Sequence, residues 1–158
     1  GRAMTLAHDL DRRTLIQYEL FAGGVGAMQG YTGETGCHCN QTNGKVTSVE
    51  MLETEFPVRI EEFKILKDSG GRGAFEGGNG FVRTYRILEG VTSVTLRSSK
   101  HGIYPLGMNG GGDASGGFCE VEVSGKKKTL ASMQSGVTLN PGDILRLGTP
   151  GGGGYGAS

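Results

Sequence analysis

Cys37-His38-Cys39 is the densest run of metal-binding side chains in the chain. Thiolate and imidazole are borderline-soft donors suited to zinc, but a structural zinc takes four ligands and a Cys-x-Cys pair supplies half of them. His8, His101 and Cys119 complete such a site only if folding brings them in. The ordinary role of a free cysteine, a small buried apolar residue, stands beside that reading. No neighbouring base marks any of the three as a reactive thiol.

His8-Asp9-Leu10-Asp11 sets an imidazole beside two carboxylates, the groups that acid-base chemistry uses, against the plainer expectation of a polar turn before the first strand. Asp68-Ser69-Gly70-Gly71-Arg72-Gly73 leads an acid and a hydroxyl into a glycine turn whose successive N–H groups could form an anion-binding nest. Asn109 to Asp113 has the same form. For both, the competing expectation is a loop that hydrogen-bonds its own backbone.

Two nucleotide-binding patterns fail on context. Gly151-x-Gly153-x-x-Gly156 has the letters of a dinucleotide fingerprint, but that motif needs a following helix to meet the pyrophosphate, and only Ala157 and Ser158 follow here. Asn43-Gly44-Lys45 runs into Val46 where a phosphate loop needs Ser or Thr, and Cys39 stands in place of its first glycine.

The elements that must position these groups are mostly strands. Arg13–Phe21, Ile60–Lys67, Phe81–Leu88, Val91–Arg97 and Asp143–Leu147 are short apolar runs bounded by turn formers. Phe118–Val123 alternates cleanly, with Cys119, Val121 and Val123 on one face and Glu120 and Glu122 on the other. Asn140-Pro141-Gly142-Asp143 carries type II turn chemistry and launches the last strand. Lys126-Lys127-Lys128, after Ser124-Gly125, reads as a solvated hairpin tip. One helix is expected, with a capping box in Thr47-Ser48-Val49-Glu50 and a stop at Pro57; Glu53 and Glu55 fall on its exposed side. The fold class is mainly β: an antiparallel β-sandwich or barrel with glycine-rich loops and one short helix.

The chain has 158 residues, a single-domain length. Its 31 glycines are concentrated, with 24 of them in four clusters, 23–36, 70–80, 107–117 and 148–156. Glycine loses the most backbone entropy on folding, so these clusters must gain close backbone packing or a partner. Sixteen basic and sixteen acidic residues cancel, with no basic stripe, so neither nucleic acid nor an anionic membrane is indicated. No apolar run approaches the roughly 20 residues of a membrane span. No secretory signal opens the chain, so a cytoplasmic location is expected, and three cysteines fit a reducing compartment. Gly1-Arg2-Ala3-Met4 reads as a junction.

Taken in order, the segments from about Phe21 to Gly156 resemble the C-terminal part of the hydantoinase B/5-oxoprolinase family, which includes subunits of ATP-dependent ketone carboxylases. The text that carries the resemblance is Gly23-Gly24-Val25-Gly26-Ala27, Thr42-Asn43, Val49-Glu50-Met51-Leu52-Glu53, Phe56-Pro57-Val58-Arg59, Asp68 to Gly73, and Gly77-Gly78-Asn79-Gly80. It continues through Pro105 to Gly111 and Leu139 to Asp143, and closes with Thr149 to Gly156. Two positions depart from the family pattern: Ser48 replaces a proline, and Glu76 replaces an arginine before the paired glycines.

The resemblance implies an enzyme that opens a cyclic amide. A hydantoinase A-type partner subunit or domain uses ATP and Mg to activate the amide carbonyl as a phosphorylated intermediate, which water then attacks. It also implies that these 158 residues are one β-rich domain, the C-terminal fragment of a larger protein whose N-terminal portion holds a divalent metal. No metal ligand or catalytic residue is therefore assigned, and no cofactor is expected on this fragment. The candidate loop contacts are Asp68, Ser69, Gly70, Gly71, Asn109, Gly152, Gly153 and Tyr155. The implied partners are the N-terminal remainder of the subunit, the ATP-binding component and a small cyclic amide, within an oligomer. The equivalent domain of an acetone- or acetophenone-type carboxylase, and a non-catalytic assembly module, are the alternatives.

Overall fold

A computed structural model of the protein describes residues 2–38 and 44–157. Among these residues nine strands form two antiparallel sheets. The first sheet has the order β2-β1-β5-β8, from Arg2–Leu10 (β1), Arg13–Phe21 (β2), Val91–Ser98 (β5) and Met133–Leu139 (β8). The second has the order β3-β4-β9-β6-β7, from Val58–Leu66 (β3), Gly80–Ile87 (β4), Phe118–Val123 (β6), Lys126–Thr129 (β7) and Ile144–Gly148 (β9). Buried Met4, Leu6, Val94 and Leu96 from one sheet pack with Tyr85, Val121, Leu145 and Leu147 from the other. The result is a sandwich and not a closed barrel.

The single helix among the described residues, Val49–Glu55 (α1), buries Leu52 and ends at Phe56, whose extended φ of −126° is what a following proline imposes. Ser48, not Thr47, caps it by accepting from Met51 N at 3.3 Å, which puts Glu50 in the first turn and out of capping-box register. Ser48 thus supplies a cap. Asn140-Pro141-Gly142-Asp143 closes with Asp143 N donating to Asn140 O at 3.0 Å, and Gly142 takes φ +93° as a type II turn requires.

Arg2 to Met4 form the start of β1. Two sequence expectations are corrected. His8 to Leu10 lies in that strand and not in a turn, which falls at Asp11 and Arg12. The hairpin tip is Ser124-Gly125, with φ +51° and +76°, so Lys126 to Lys128 form an exposed edge strand. Their charges guard that edge against pairing with another chain.

A polar chain crosses the sandwich interior. Arg83 Nη1 meets Glu19 Oε2 at 2.6 Å, and Tyr85 Oη donates to Glu19 Oε1 at 2.7 Å. Gln17 Nε2 also donates to Glu19 Oε1, at 2.6 Å, leaving Gln17 Oε1 toward His8 Nε2 at 3.0 Å. His8 Nε2 must therefore carry the hydrogen, and Nδ1 accepts from the Thr92 hydroxyl at 2.9 Å. Burial holds the His8 pKa below its ordinary value, partly offset by the Gln17 bond. Burial and the Glu19 charge together raise that of Tyr85.

The two outer faces differ in chemistry. The five-stranded sheet carries part-exposed ion pairs, Arg86–Glu61, Arg146–Glu62, Arg146–Glu120 and Lys127–Glu122. On the four-stranded sheet, register aligns Ile16, Ala7 and Ser93 in one row and Tyr18, Thr5 and Thr95 in the next.

Candidate functional site

The glycine clusters fold together into a layer of main chain at one end of the sandwich. Gly24 N donates to Pro150 O, Gly71 N to Gly152 O, Gly152 N to Gly78 O, Gly154 N to Gly112 O, and Met108 N to Gly154 O, all at 2.8–2.9 Å. These contacts lie outside the two ladders, so the layer is held by backbone meeting backbone. A β-carbon on Gly152 would collide with the Val25 carbonyl, one on Gly153 with Leu106 O, and one on Gly77 with Gly152 O. Absence of a side chain is thus a packing requirement here, and it explains the density of glycine directly.

The structure brings most of the candidate loop residues into this layer but not into a reactive constellation. Ser69 is buried, its hydroxyl donating to Leu66 O at 2.6 Å and accepting from Gly80 N at 2.9 Å. The N–H groups of Ser69 and Gly70, the expected anion nest, both donate to Asn79 Oδ1 at 3.0 Å. The nest is filled by the protein's own amide oxygen. Asn109, at φ +50°, donates from Nδ2 to Tyr155 Oη at 2.5 Å, and Asp113 Oδ1 accepts from Gly107 N at 2.8 Å. That loop, too, closes on itself. Asp68 stands in the left-handed turn after β3, at φ +58°. Glu76 points to solvent, while its carbonyl accepts from Gly33 N at 2.7 Å.

Neither group that the family resemblance implies fits this chain. In the closing segment Gly151, Gly152, Gly154, Tyr155 and Gly156 all donate their N–H to main-chain carbonyls, which leaves no cradle of free donors for a phosphate. Among the described residues no three His, Cys, Asp or Glu side chains gather as a metal set. His8 and Cys119 belong to the sandwich core, and Cys39 lies outside the described residues.

A cleft of about 730 Å³ is bounded by Gly23 to Gly26 and by Pro150 to Gly153, with Arg2, Glu34, Cys37, His38, Ser98 and Lys100 as its charged and polar lining. Of the candidate loop contacts only Gly152 and Gly153 line it, joined by Cys37 and His38 of the candidate metal run. Arg2 is the buried charged side chain at this cleft that sequence reasoning missed. Its guanidinium is 3% exposed and donates to Phe118 O at 2.5 Å, Gly148 O at 2.6 Å, Ser98 Oγ at 3.1 Å and His101 Nδ1 at 3.1 Å. Among the described residues no carboxylate pairs with it. Burial pushes its pKa down to about 10, and burial pushes the nearby Cys119 thiol up to about 11. His101 is held below its ordinary value by burial and by the Arg2 charge. The signal for Arg2 is the alternation Arg2, Met4, Leu6, His8, legible only once a strand is admitted there. Such a cleft can bind and orient, and Cys37 and His38 are the thiol and imidazole on its wall.

The family described as hydantoinase B/oxoprolinase matches residues 2–158. The 5-oxoprolinase of Dictyostelium discoideum is 35% identical over 143 residues, 90% of this chain and 11% of that protein. Two solved structures share the fold at a TM-score of 0.78. An ATP-dependent caprolactamase from Pseudomonas jessenii is 21% identical, with 98% of this chain covering 28% of it. An acetone carboxylase is 14% identical, with 99% covering 25%. The chain thus spans about a tenth of the oxoprolinase and about a quarter of each solved chain. It belongs to the hydantoinase B/oxoprolinase family.

Proposed function

We propose that this chain is the C-terminal β-domain of a B-type subunit in an ATP-dependent enzyme that hydrolyses cyclic amides, of the hydantoinase or 5-oxoprolinase type. The observation that carries this reading is the 35% identity to a 5-oxoprolinase across 90% of the chain. The domain by itself is non-catalytic. Most N–H groups of its closing glycines are spent on its own backbone, and its described residues hold no metal set. It supplies a rigid main-chain layer beside the Arg2 cleft, while ATP, Mg and the divalent metal belong to the rest of the subunit and to the ATP-binding partner. The assembly is an oligomer in the cytoplasm, where Cys37 and Cys119 stay reduced.

The carboxylase alternative shares the fold at the same TM-score, so fold does not choose between the two. Chemistry does. The complete subunits, given ATP and a panel of hydantoins, lactams and 5-oxoproline, are expected to couple ATP hydrolysis to ring opening. ATP consumption that requires bicarbonate and a ketone instead selects the carboxylase, and no coupled turnover on either panel removes both readings.

A further inference from the structure

The outer face of the four-stranded sheet is built unlike the other outer face of the same molecule. On β2, Ile16, Tyr18 and Leu20 are 60%, 61% and 38% exposed. Beside them register places Ala7, Thr5 and Ala3 of β1, then Ser93, Thr95 and Arg97 of β5. Eight of these nine positions are uncharged. A solvated sheet face normally carries polar and charged side chains, as the five-stranded sheet does with its four ion pairs. Small residues flanked by a stripe of large apolar ones form a flat surface on which a second layer can pack without burying charge. Strand β2 is also an edge, nine residues long, without proline or lysine, and such edges are covered in native proteins.

We infer that this face, centred on Tyr18 and Thr5, is an internal interface on which the remainder of the same B-type subunit packs. The inference rests on the reading that the chain is one domain of a longer subunit. A continuation of the same polypeptide is favoured because the solved caprolactamase chain is about four times longer than the region this chain covers, with 28% of it matched. Arg97 is the one charged side chain among these nine positions, so the occupant presents mainly apolar side chains.

The test is thiol labelling of Tyr18→Cys and, as a control on the opposite outer face, Glu122→Cys, read peptide by peptide in the isolated chain and in the complete subunit. Glu122→Cys is expected to label in both. Tyr18→Cys is expected to label freely in the isolated chain and about tenfold or more slowly in the complete subunit, as a residue released only by local opening does. Equal labelling in both forms overturns the inference. So does protection that grows with concentration of the isolated chain, which assigns the face to a second copy, and protection that needs the ATP-binding subunit, which assigns it to a separate partner. A complete subunit that protects Tyr18→Cys yet opens no cyclic amide upholds this inference while overturning the functional one. A native polypeptide no longer than this chain overturns both.

Discussion

Gly152 N donates to Gly78 O at 2.9 Å, and the space where a Gly152 side chain would begin is already taken by the Val25 carbonyl. The closing glycines are thus wedged between other glycine segments of the chain, and the N–H groups of Gly151, Gly152, Gly154 and Gly156 are bonded to main-chain carbonyls.

A methyl group at Gly152 forces backbone to move, so Gly152→Ala is expected to cost about 3 kcal/mol, the upper end of overpacking effects. For a chain of this size that is a fall of about 6–12 °C in Tm. Gly26→Ala is the control: a β-carbon there meets only Gly153, its O at 3.8 Å and its N at 3.9 Å, ordinary van der Waals contacts. It is expected to stay within about 0.5 kcal/mol of the parent protein. Thermal unfolding of both variants checks the pair.

The filled nest makes a prediction of its own. Asn79→Leu strands the N–H groups of Ser69 and Gly70, at about 1–3 kcal/mol for each buried donor left unmade. Inorganic phosphate is expected to leave the Tm of the parent protein unchanged, because no N–H there is free to bind it. A phosphate-dependent rise in Tm that Asn79→Leu alters would restore the nest.

Glu19 is the counterion of a fully buried arginine that already has Nε and Nη2 without hydrogen-bond partners among the described residues. Face-on packing of Arg83 over the Phe63 ring, 4.1 Å from its centroid, does not replace the carboxylate. Glu19→Leu leaves that charge uncompensated and is expected to cost about 3–5 kcal/mol. Glu19→Leu combined with Arg83→Met is expected to be less damaging than Glu19→Leu alone. Denaturant midpoints of the single and double variants check the order.

Stability is expected to fall on acidification through the neutral range. His8 is held neutral in the fold, with a pKa below the unfolded value of 6.5. As pH falls below about 6.5 the unfolded chain takes up its proton first, so stability is full above that point and declines below it. His101 is shifted in the same direction and adds to the slope. Glu61 and Glu62, whose pKa values are lowered mainly by bonds to Arg86 and Lys64, act in the same sense only below their ordinary value of 4.5. Urea unfolding from pH 5 to 7 is expected to show a shallower slope in His8→Gln than in the parent protein.

Much of the sandwich is legible in the sequence because its strands announce themselves locally. Phe118 to Val123 alternates, and Pro141-Gly142 marks the turn before β9. Strand β1 is hidden because its inward positions include Arg2 and His8, whose partners come from β5, β6 and β9 and from the loop holding His101. No local pattern shows that these charges and rings are satisfied inside. Strand β8 is hidden because Met133, Ser135 and Gly136 are exposed and supply no apolar period. The candidate loop residues were found by their glycine turns, but the partners that close those turns, Asn79 for Ser69 and Tyr155 for Asn109, lie 10 and 46 residues away in the chain. The Arg2 cleft is a product of folding alone.

The most direct test is a coupled assay on matched molar amounts of the isolated chain and of the complete enzyme, measuring phosphate release and ring-opened product from 5-oxoproline and a hydantoin. The complete enzyme is expected to form both in step, and the isolated chain neither. Ring opening by the isolated chain at a rate near that of the complete enzyme would contradict the assignment of this fold as a scaffold domain.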